Sequence, residues 1–377
     1  MQGTSGVEGF LDTPENAIPQ PPFPELSVII PAFNCSSEIG ALLDCILRTR
    51  VTSMEVIVVD DASTDKIALS CGDRPQVSIL RLDRNGGPAR ARNLGAARAR
   101  GSILVFVDSD VLLPTDRDVL EDIVQTFRCD PGIDCICTIS DVRPRVPSAI
   151  AYNNSIYHAY YMDRFLAGQD QRKGRIMFFT TRLGGIRAHS FRRSGGFQDS
   201  LTTVMNEDGE FGARCYHLEF ITCFKRNLVN LHRYPTNFKR FIRSYFLTAL
   251  VQAQIDRTLD TSPDESISMP EKLRRLYAVT AFALPFLGLV LEPLAMLALA
   301  ACWILLFLLS FGSMTRWIWR DVPWRFRCQW YLVYLAITPF IFAGYAAGVV
   351  LHAAGRSLIR DVPSSLDYFS SGTGRPG

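Results

Sequence analysis

Short apolar runs that end on acidic or turn-forming residues recur through the first third of the chain. Glu25 to Pro31 reads as a strand closed by a proline, followed by the amphipathic stretch Ile39 to Leu47. Glu55 to Val59 is a second strand and empties into Asp60-Asp61-Ala62-Ser63-Thr64-Asp65. Ser78 to Leu82 is a third, and Ile103 to Val107 a fourth that ends on Asp108-Ser109-Asp110. Strands joined through helices predict parallel βαβ units, which collect the polar strand ends on one rim of an open α/β sheet, where such sheets bind ligands. Between the third and fourth strands, Asn85-Gly86-Gly87-Pro88 predicts a tight turn into a helix carrying Arg90 and Arg92, and a helix start of that kind favours anions.

The chemistry sits at those strand ends. Alternate residues of an extended segment share a face, so Asp108 and Asp110 can converge on one hard divalent cation with oxygen ligands. Further along, Ser194-Gly195-Gly196-Phe197 precedes Asn206-Glu207-Asp208-Gly209-Glu210, a second carboxylate group outside the first sheet half. Asn227 to Leu231 reads as another strand, closed by His232.

Ser27-Val28-Ile29-Ile30-Pro31-Ala32-Phe33-Asn34, Val58-Val59-Asp60-Asp61-Ala62-Ser63-Thr64-Asp65, Ala91-Arg92-Asn93-Leu94-Gly95 and Asp108-Ser109-Asp110 resemble, in order and spacing, the successive motifs of the family 2 glycosyltransferases. The resemblance covers roughly residues 25–232. It implies a GT-A fold, a Rossmann-like α/β domain, with a nucleotide-diphosphate sugar as donor, Mg²⁺ or Mn²⁺ as cofactor and inversion at the anomeric carbon. By the same resemblance Asp61 reads the nucleobase, with Pro31, Ala32 and Phe33 along that wall. Arg92 and Asp108 then belong to the donor site, and Asp110, with Asp108 and His232, to the metal. The Gly-Gly-Phe and Glu-Asp segments resemble the acceptor half, which makes Asp208 the expected base and Glu207 its neighbour orienting the acceptor or Asp208. Lys239, Arg240, Arg243 and Tyr245 match the tail signature of processive polysaccharide synthases only loosely, lacking its glutamine and tryptophan.

Composition adds a second region. Hydrophobic residues make up 48% of the chain and concentrate toward its C-terminal end. From Leu276 to Phe311 only Glu292 is charged, which predicts two short spans joined at Glu292-Pro293, and Gln329 to His352 predicts a third. Arg316, Trp317, Trp319, Arg320, Trp324, Arg325 and Arg327 between them mark a membrane interface. Lys272, Arg274 and Arg275 before the first span, with that cluster before the third, orient the catalytic domain to the cytoplasmic face of the plasma (inner) membrane. Pro339 and Gly344 allow the third run to re-enter instead. The expected organisation is a flexible leader over residues 1–24, a GT-A catalytic domain over 25–270, a membrane domain of two or three transmembrane helices plus an interfacial helix over 271–355 and a disordered tail over 356–377.

A site beside membrane helices favours a lipid or lipid-linked acceptor, with Tyr152 to Arg164, Lys173 and Arg175 along its path. Polyprenyl-phosphate sugar synthesis, processive polymerisation and a nucleotide-binding scaffold are the alternative readings. A net charge of +3 argues against a nucleic-acid partner. The ten cysteines lack metal-site spacing, and Cys135-Ile136-Cys137 reads as strand core.

Overall fold

The computed structural model describes residues 23–168, 176–199, 206–258 and 292–356. Strand β1 (Leu26–Ala32) leads through α1 (Ser36–Ile46) to β2 (Met54–Asp60), and short α2 (Ile67–Cys71) leads to β3 (Val77–Arg81). Helix α3 (Gly87–Arg98) then returns the chain to β4 (Ile103–Val107). These four strands lie parallel, as the apolar pattern predicts, and β1 sits between β2 and β4. Strand β1 is buried along its whole length because its two faces meet different layers. Val28 and Ile30 face α1 and α4 (Val119–Cys129), whereas Ile29 joins Phe106 and residues of α3 on the other side.

Past β4 the sheet changes character. The two-residue β5 (Val111–Leu112), β6 (Cys135–Ser140), β7 (Leu183–Arg187) and β8 (Thr222–His232) complete one mixed sheet in the order β3-β2-β1-β4-β7-β6-β8-β5. Strand β7 runs antiparallel to both β4 and β6, while β8 runs parallel to β6. The strand expected over 227–231 is therefore longer, beginning at Thr222. The thiols of Cys135 and Cys137 are buried in the core, as their strand context predicts.

Helices α5 (Ala149–Gly168), α6 (Ala188–Ser194), α7 (Glu207–His217) and α8 (Phe238–Thr258) build the second half. Two long helices, α9 (Pro293–Asp321) and α10 (Trp324–Ala353), follow. Helix α10 is continuous through Pro339 and Gly344, so re-entry at those residues does not occur. Its stripe of small residues lies on α8, where a Cβ at Gly344 would meet the Phe246 carbonyl oxygen at 2.2 Å. Trp330 donates from Nε1 to the Tyr152 carbonyl (3.2 Å) while Asn153 donates back to the Trp330 carbonyl (3.3 Å), which pins α10 to α5.

The interface segment expected between the last two apolar runs is a helix corner rather than a helix of its own. Helix α9 runs on to Asp321, and Arg327 from α10 donates to the carbonyls of Val322 and Trp319 (3.0 and 2.9 Å), satisfying the end of α9. Helix α10 is the one described helix long and apolar enough to cross a membrane. Residues 276–291, which hold the first expected span, lie outside the described residues, as do Lys173, Arg175, the basic cluster at 272–275 and most of the expected leader and tail.

Candidate active site

The parallel half delivers its carboxylates to one rim. Asp60 ends β2 beside Ala32 and is fixed from two sides, accepting from the Ser63 amide (2.9 Å) and pairing with Arg81. Asp61 is buried, and its two carboxylate oxygens accept from the amides of Gly86 (2.7 Å) and Gly87 (2.8 Å). The anion at the start of α3 is thus supplied by the chain itself, and Gly87 has φ +83, a backbone state open to glycine. Asp61 holds this turn against β2, a tie that the motif alone does not reveal. Pro31 and Ala32 are likewise buried at the end of β1, paired along its β2 edge with Val59 and Asp60, and of the expected nucleotide wall Phe33 is the open side chain, 49% exposed.

Arg92 is the most consequential departure from expectation. It is 3% exposed and lies between two carboxylates, donating from Nη1 to Glu207 (2.7 Å) and from Nη2 to Asp108 (2.6 Å). Burial by itself lowers a guanidinium pKa, but the two carboxylates outweigh it and raise that of Arg92, so its charge is secure. It is a strut joining the strand-end carboxylates to α7. Glu207 is correspondingly turned to Arg92, and the Arg92 guanidinium also stands 5.6 Å from the Phe197 ring centre.

An aromatic cluster seals the same junction. Phe106, two residues before Asp108, packs on Phe197 with ring centres 5.0 Å apart, and Phe197 packs on Phe211 of α7 at 4.5 Å. Asn93 exchanges hydrogen bonds with the backbone of Phe197, donating to its carbonyl (2.7 Å) and accepting from its amide (2.8 Å). Arg214 does not enter the site. It pairs with Glu210 and donates to the carbonyls of Ser194 and Gly196, so Glu210 is a buried partner rather than a solvated helix-start charge.

Asp108, Asp110 and His232 each offer a ligand atom, all within 4.8 Å of one another. The register explains their meeting: β5 pairs antiparallel with β8, setting Val111 opposite His232, and the Arg233 amide donates to the Asp110 carbonyl (3.2 Å). His232 Nε2 lies 3.3 Å from Asp110 Oδ1, while its Nδ1 is buried without a partner. Burial pushes the Asp110 carboxyl upward, but the adjacent His232 and then Arg182 prevail and hold it below the ordinary range. Two carboxylates and an imidazole form a donor set that suits Mg²⁺ or Mn²⁺.

Asp208 stands at the start of α7, half-buried, with its Oδ1 accepting from the Gly209 amide at 2.9 Å. Burial, then the neighbouring Glu207 charge, push its carboxyl up to about 7, with Arg182 and Arg92 opposing. Behind it runs a polar chain from the long C-terminal helix. Tyr345 donates to Asp256 (3.2 Å), Gln252 donates to Asp256 (2.7 Å), and Asn206 donates to Gln252 (3.0 Å). Asn206 has φ +103, so the turn presenting Glu207 and Asp208 is held in an uncommon conformation from α8.

Sequence reasoning passed over Arg182 and His158. Arg182 lies just before β7 in Thr180-Thr181-Arg182-Leu183, which has no recognisable motif, yet its charge acts on both Asp110 and Asp208. His158 lies within the expected acceptor-path stretch, and burial, then Arg182 and His232, hold its pKa well below the usual value.

Residues 27–195 match the family described as Glycosyl transferase family 2. An uncharacterised glycosyltransferase of Haemophilus influenzae is 32% identical over 207 residues, covering 54% of this chain and 65% of that protein. The chondroitin synthase of Pasteurella multocida is 25% identical over 268 residues, covering 68% of this chain and 26% of that protein. The chain thus spans about two thirds of the first relative's length and about a quarter of the second's. Among solved structures, the mannosyltransferase PcManGT of Pyrobaculum calidifontis, solved with GDP-Man and Mn²⁺, shares the fold with a TM-score of 0.60, 19% identity and 87% of each chain covered. Residues 27–195 are thus similar in sequence to the family 2 glycosyltransferases, and the mixed sheet that carries them shares the fold of the mannosyltransferase.

Proposed function

We propose that this protein transfers a sugar, with inversion, from a nucleotide-diphosphate donor to a lipid or lipid-linked acceptor at the cytoplasmic face of the plasma membrane. The observation that carries the reading is the Arg92 strut. By bonding Asp108 and Glu207 at once, it holds the Asp108, Asp110 and His232 cluster and the neighbouring Asp208 in one site, as a single in-line displacement needs.

Asp108, Asp110 and His232 would hold Mg²⁺ or Mn²⁺, which when bound neutralises the diphosphate as negative charge develops on the leaving group. Asp208 acts as base. Its carboxylate takes the acceptor hydroxyl proton as the acceptor oxygen bonds to the anomeric carbon and the bond from that carbon to the diphosphate breaks, releasing the nucleoside diphosphate. A carboxyl poised near 7 suits that role at neutral pH. Phe33, open at the rim beside β1, offers a face for the nucleobase, and Asp61 acts on that wall by fixing the Gly86-Gly87 turn. The relatives' names support the sugar-transfer chemistry, and the chondroitin synthase supports a glycan-assembly setting.

The lipid half of the reading rests on α9 and α10. Leu294, Leu297, Leu332, Phe342 and Val350 are exposed along them, and Trp324 at their corner is 81% exposed. A row of exposed apolar side chains flanked by tryptophan and arginine fits a bilayer and its interface. The test is mass spectrometry of lipids after incubating membranes that carry the protein with a panel of nucleotide sugars and Mn²⁺. A sugar-bearing lipid that disappears in Asp208→Asn is the expected product. Transfer only to water-soluble acceptors would reject the lipid assignment.

A further inference from the structure

Arg182 is a cation left available inside a site rich in carboxylates. Asp108, Asp110, Glu207 and Asp208 converge there, and the charge of Arg92 is already shared between Asp108 and Glu207. Arg182 makes no ion pair with a carboxylate among the described residues. Its guanidinium donates a long hydrogen bond to Ser140 (3.4 Å) and stands 5.4 Å from the Tyr234 ring centre. Tyr234 packs in turn on His232, with ring centres 4.6 Å apart, so the guanidinium stands beside the metal cluster with N–H groups to spare, and its charge acts on Asp110 and Asp208 alike. His158, also within reach of its charge, has a buried Nδ1 without a partner. A half-buried guanidinium with N–H groups to spare, in a site that also holds an unsatisfied imidazole nitrogen, is a cradle for an anion.

Resting on the glycosyltransferase reading, we propose that Arg182, together with His158, is the phosphate-binding element of the transfer site. The guanidinium takes a phosphoryl oxygen beside the metal cluster, on the Tyr234 side of His232. Phosphate is favoured over a further carboxylate because the fork of a guanidinium matches two oxygens of a phosphoryl group, and because the reaction itself brings a diphosphate to this place. The phosphoryl group has two possible sources, the donor's diphosphate and a phosphorylated acceptor, and both present the same chemistry to Arg182.

The experiment measures binding rather than turnover, by calorimetric titration of the full-length protein in detergent. The probes are UDP and GDP with Mn²⁺, and separately farnesyl phosphate. Arg182→Ala is expected to weaken one of these probes by roughly 10- to 100-fold, the range for a lost charged hydrogen bond. Arg182→Lys, which keeps the charge and loses the fork, should recover part of that loss. Loss confined to UDP or GDP assigns the group to the donor, and loss confined to farnesyl phosphate assigns it to the acceptor. Unchanged affinity for all three probes in both variants overturns the proposal, as does a loss that tracks a fall in melting temperature and that added guanidinium ion does not restore. Asp110→Asn is measured alongside. If it abolishes nucleotide binding while Arg182→Ala does not, the glycosyltransferase reading stands and the Arg182 assignment falls. If the unaltered protein binds neither nucleotide, both fall.

Discussion

The two halves of this site are assembled by different means. On the proposed donor side, β1, β2 and β4 are parallel neighbours, and each delivers its polar residues within a few positions of its own strand end. On the acceptor side, the groups that meet are far apart in sequence. Arg92 and Glu207 are separated by 115 positions and Asn93 and Phe197 by 104, while the start of α7, which carries Asp208, is tethered through Asn206 from α8 and, beyond it, α10. The donor rim is thus a property of the sheet, whereas the acceptor side exists only after helices from the far end of the chain have docked. Damage to the rim should stay local, and damage to the junction should reach both stability and transfer.

The largest expected effect is chemical. Asp208→Asn should retain nucleotide-sugar binding and lose transfer by about 10²- to 10⁴-fold, the usual contribution of a positioned base, in single-turnover assays. Normal single-turnover transfer with weakened donor binding would move Asp208 to the donor side of the comparison.

Next comes the strut. Arg92→Gln leaves Asp108 and Glu207 without their buried partner, and removing one member of a buried ion pair costs about 3–5 kcal/mol, read as a lower urea midpoint. Arg81→Gln on the exposed rim is the contrasting case. Arg81 is 57% exposed, so its pair with Asp60 should contribute less than about 1 kcal/mol. Equal losses from the two variants would erase the distinction between rim and junction.

The pH dependence follows from Asp208. A base must be ionised to accept a proton, and a carboxyl raised to about 7 is protonated below that pH. Transfer measured as kcat/KM should therefore fall about tenfold for each pH unit below the transition and level off above it. Asp208→Asn should flatten this limb, and an unchanged limb would assign the titration to another group.

The smallest effect tests the reach of the C-terminal helices. Gln252→Leu breaks the chain from Tyr345 to Asn206 and should lower transfer several-fold, on the scale of one neutral hydrogen bond, about 1 kcal/mol. Donor hydrolysis should change less than transfer. An equal fall in both would mean that α8 supports the whole site rather than the acceptor side.

The succession of strands β1 to β4 along the chain, the helix starting at Gly87, and the placing of Asp108 and Asp110 at a strand end are legible in the sequence, because each depends on a local apolar run and the turn that closes it. The meeting of Asp110 with His232 is only half legible. A histidine ending a strand is visible, but the pairing of β5 with β8 that brings it to Asp110 is a long-range register. Arg92 shows the limit most clearly. Its motif points to an anion, and tertiary packing decides that the anions are Asp108 and Glu207. Asp61 is similar, since only the folded loop shows its carboxylate on the Gly86 and Gly87 amides. Arg182 leaves no trace in the sequence at all, because its significance lies in the carboxylates around it. The apolar C-terminal runs announce helices by length and hydropathy, but which face meets α8 and which stays open is decided by close packing at Gly344 and Gly348, and such contacts exist only between elements that have already found each other.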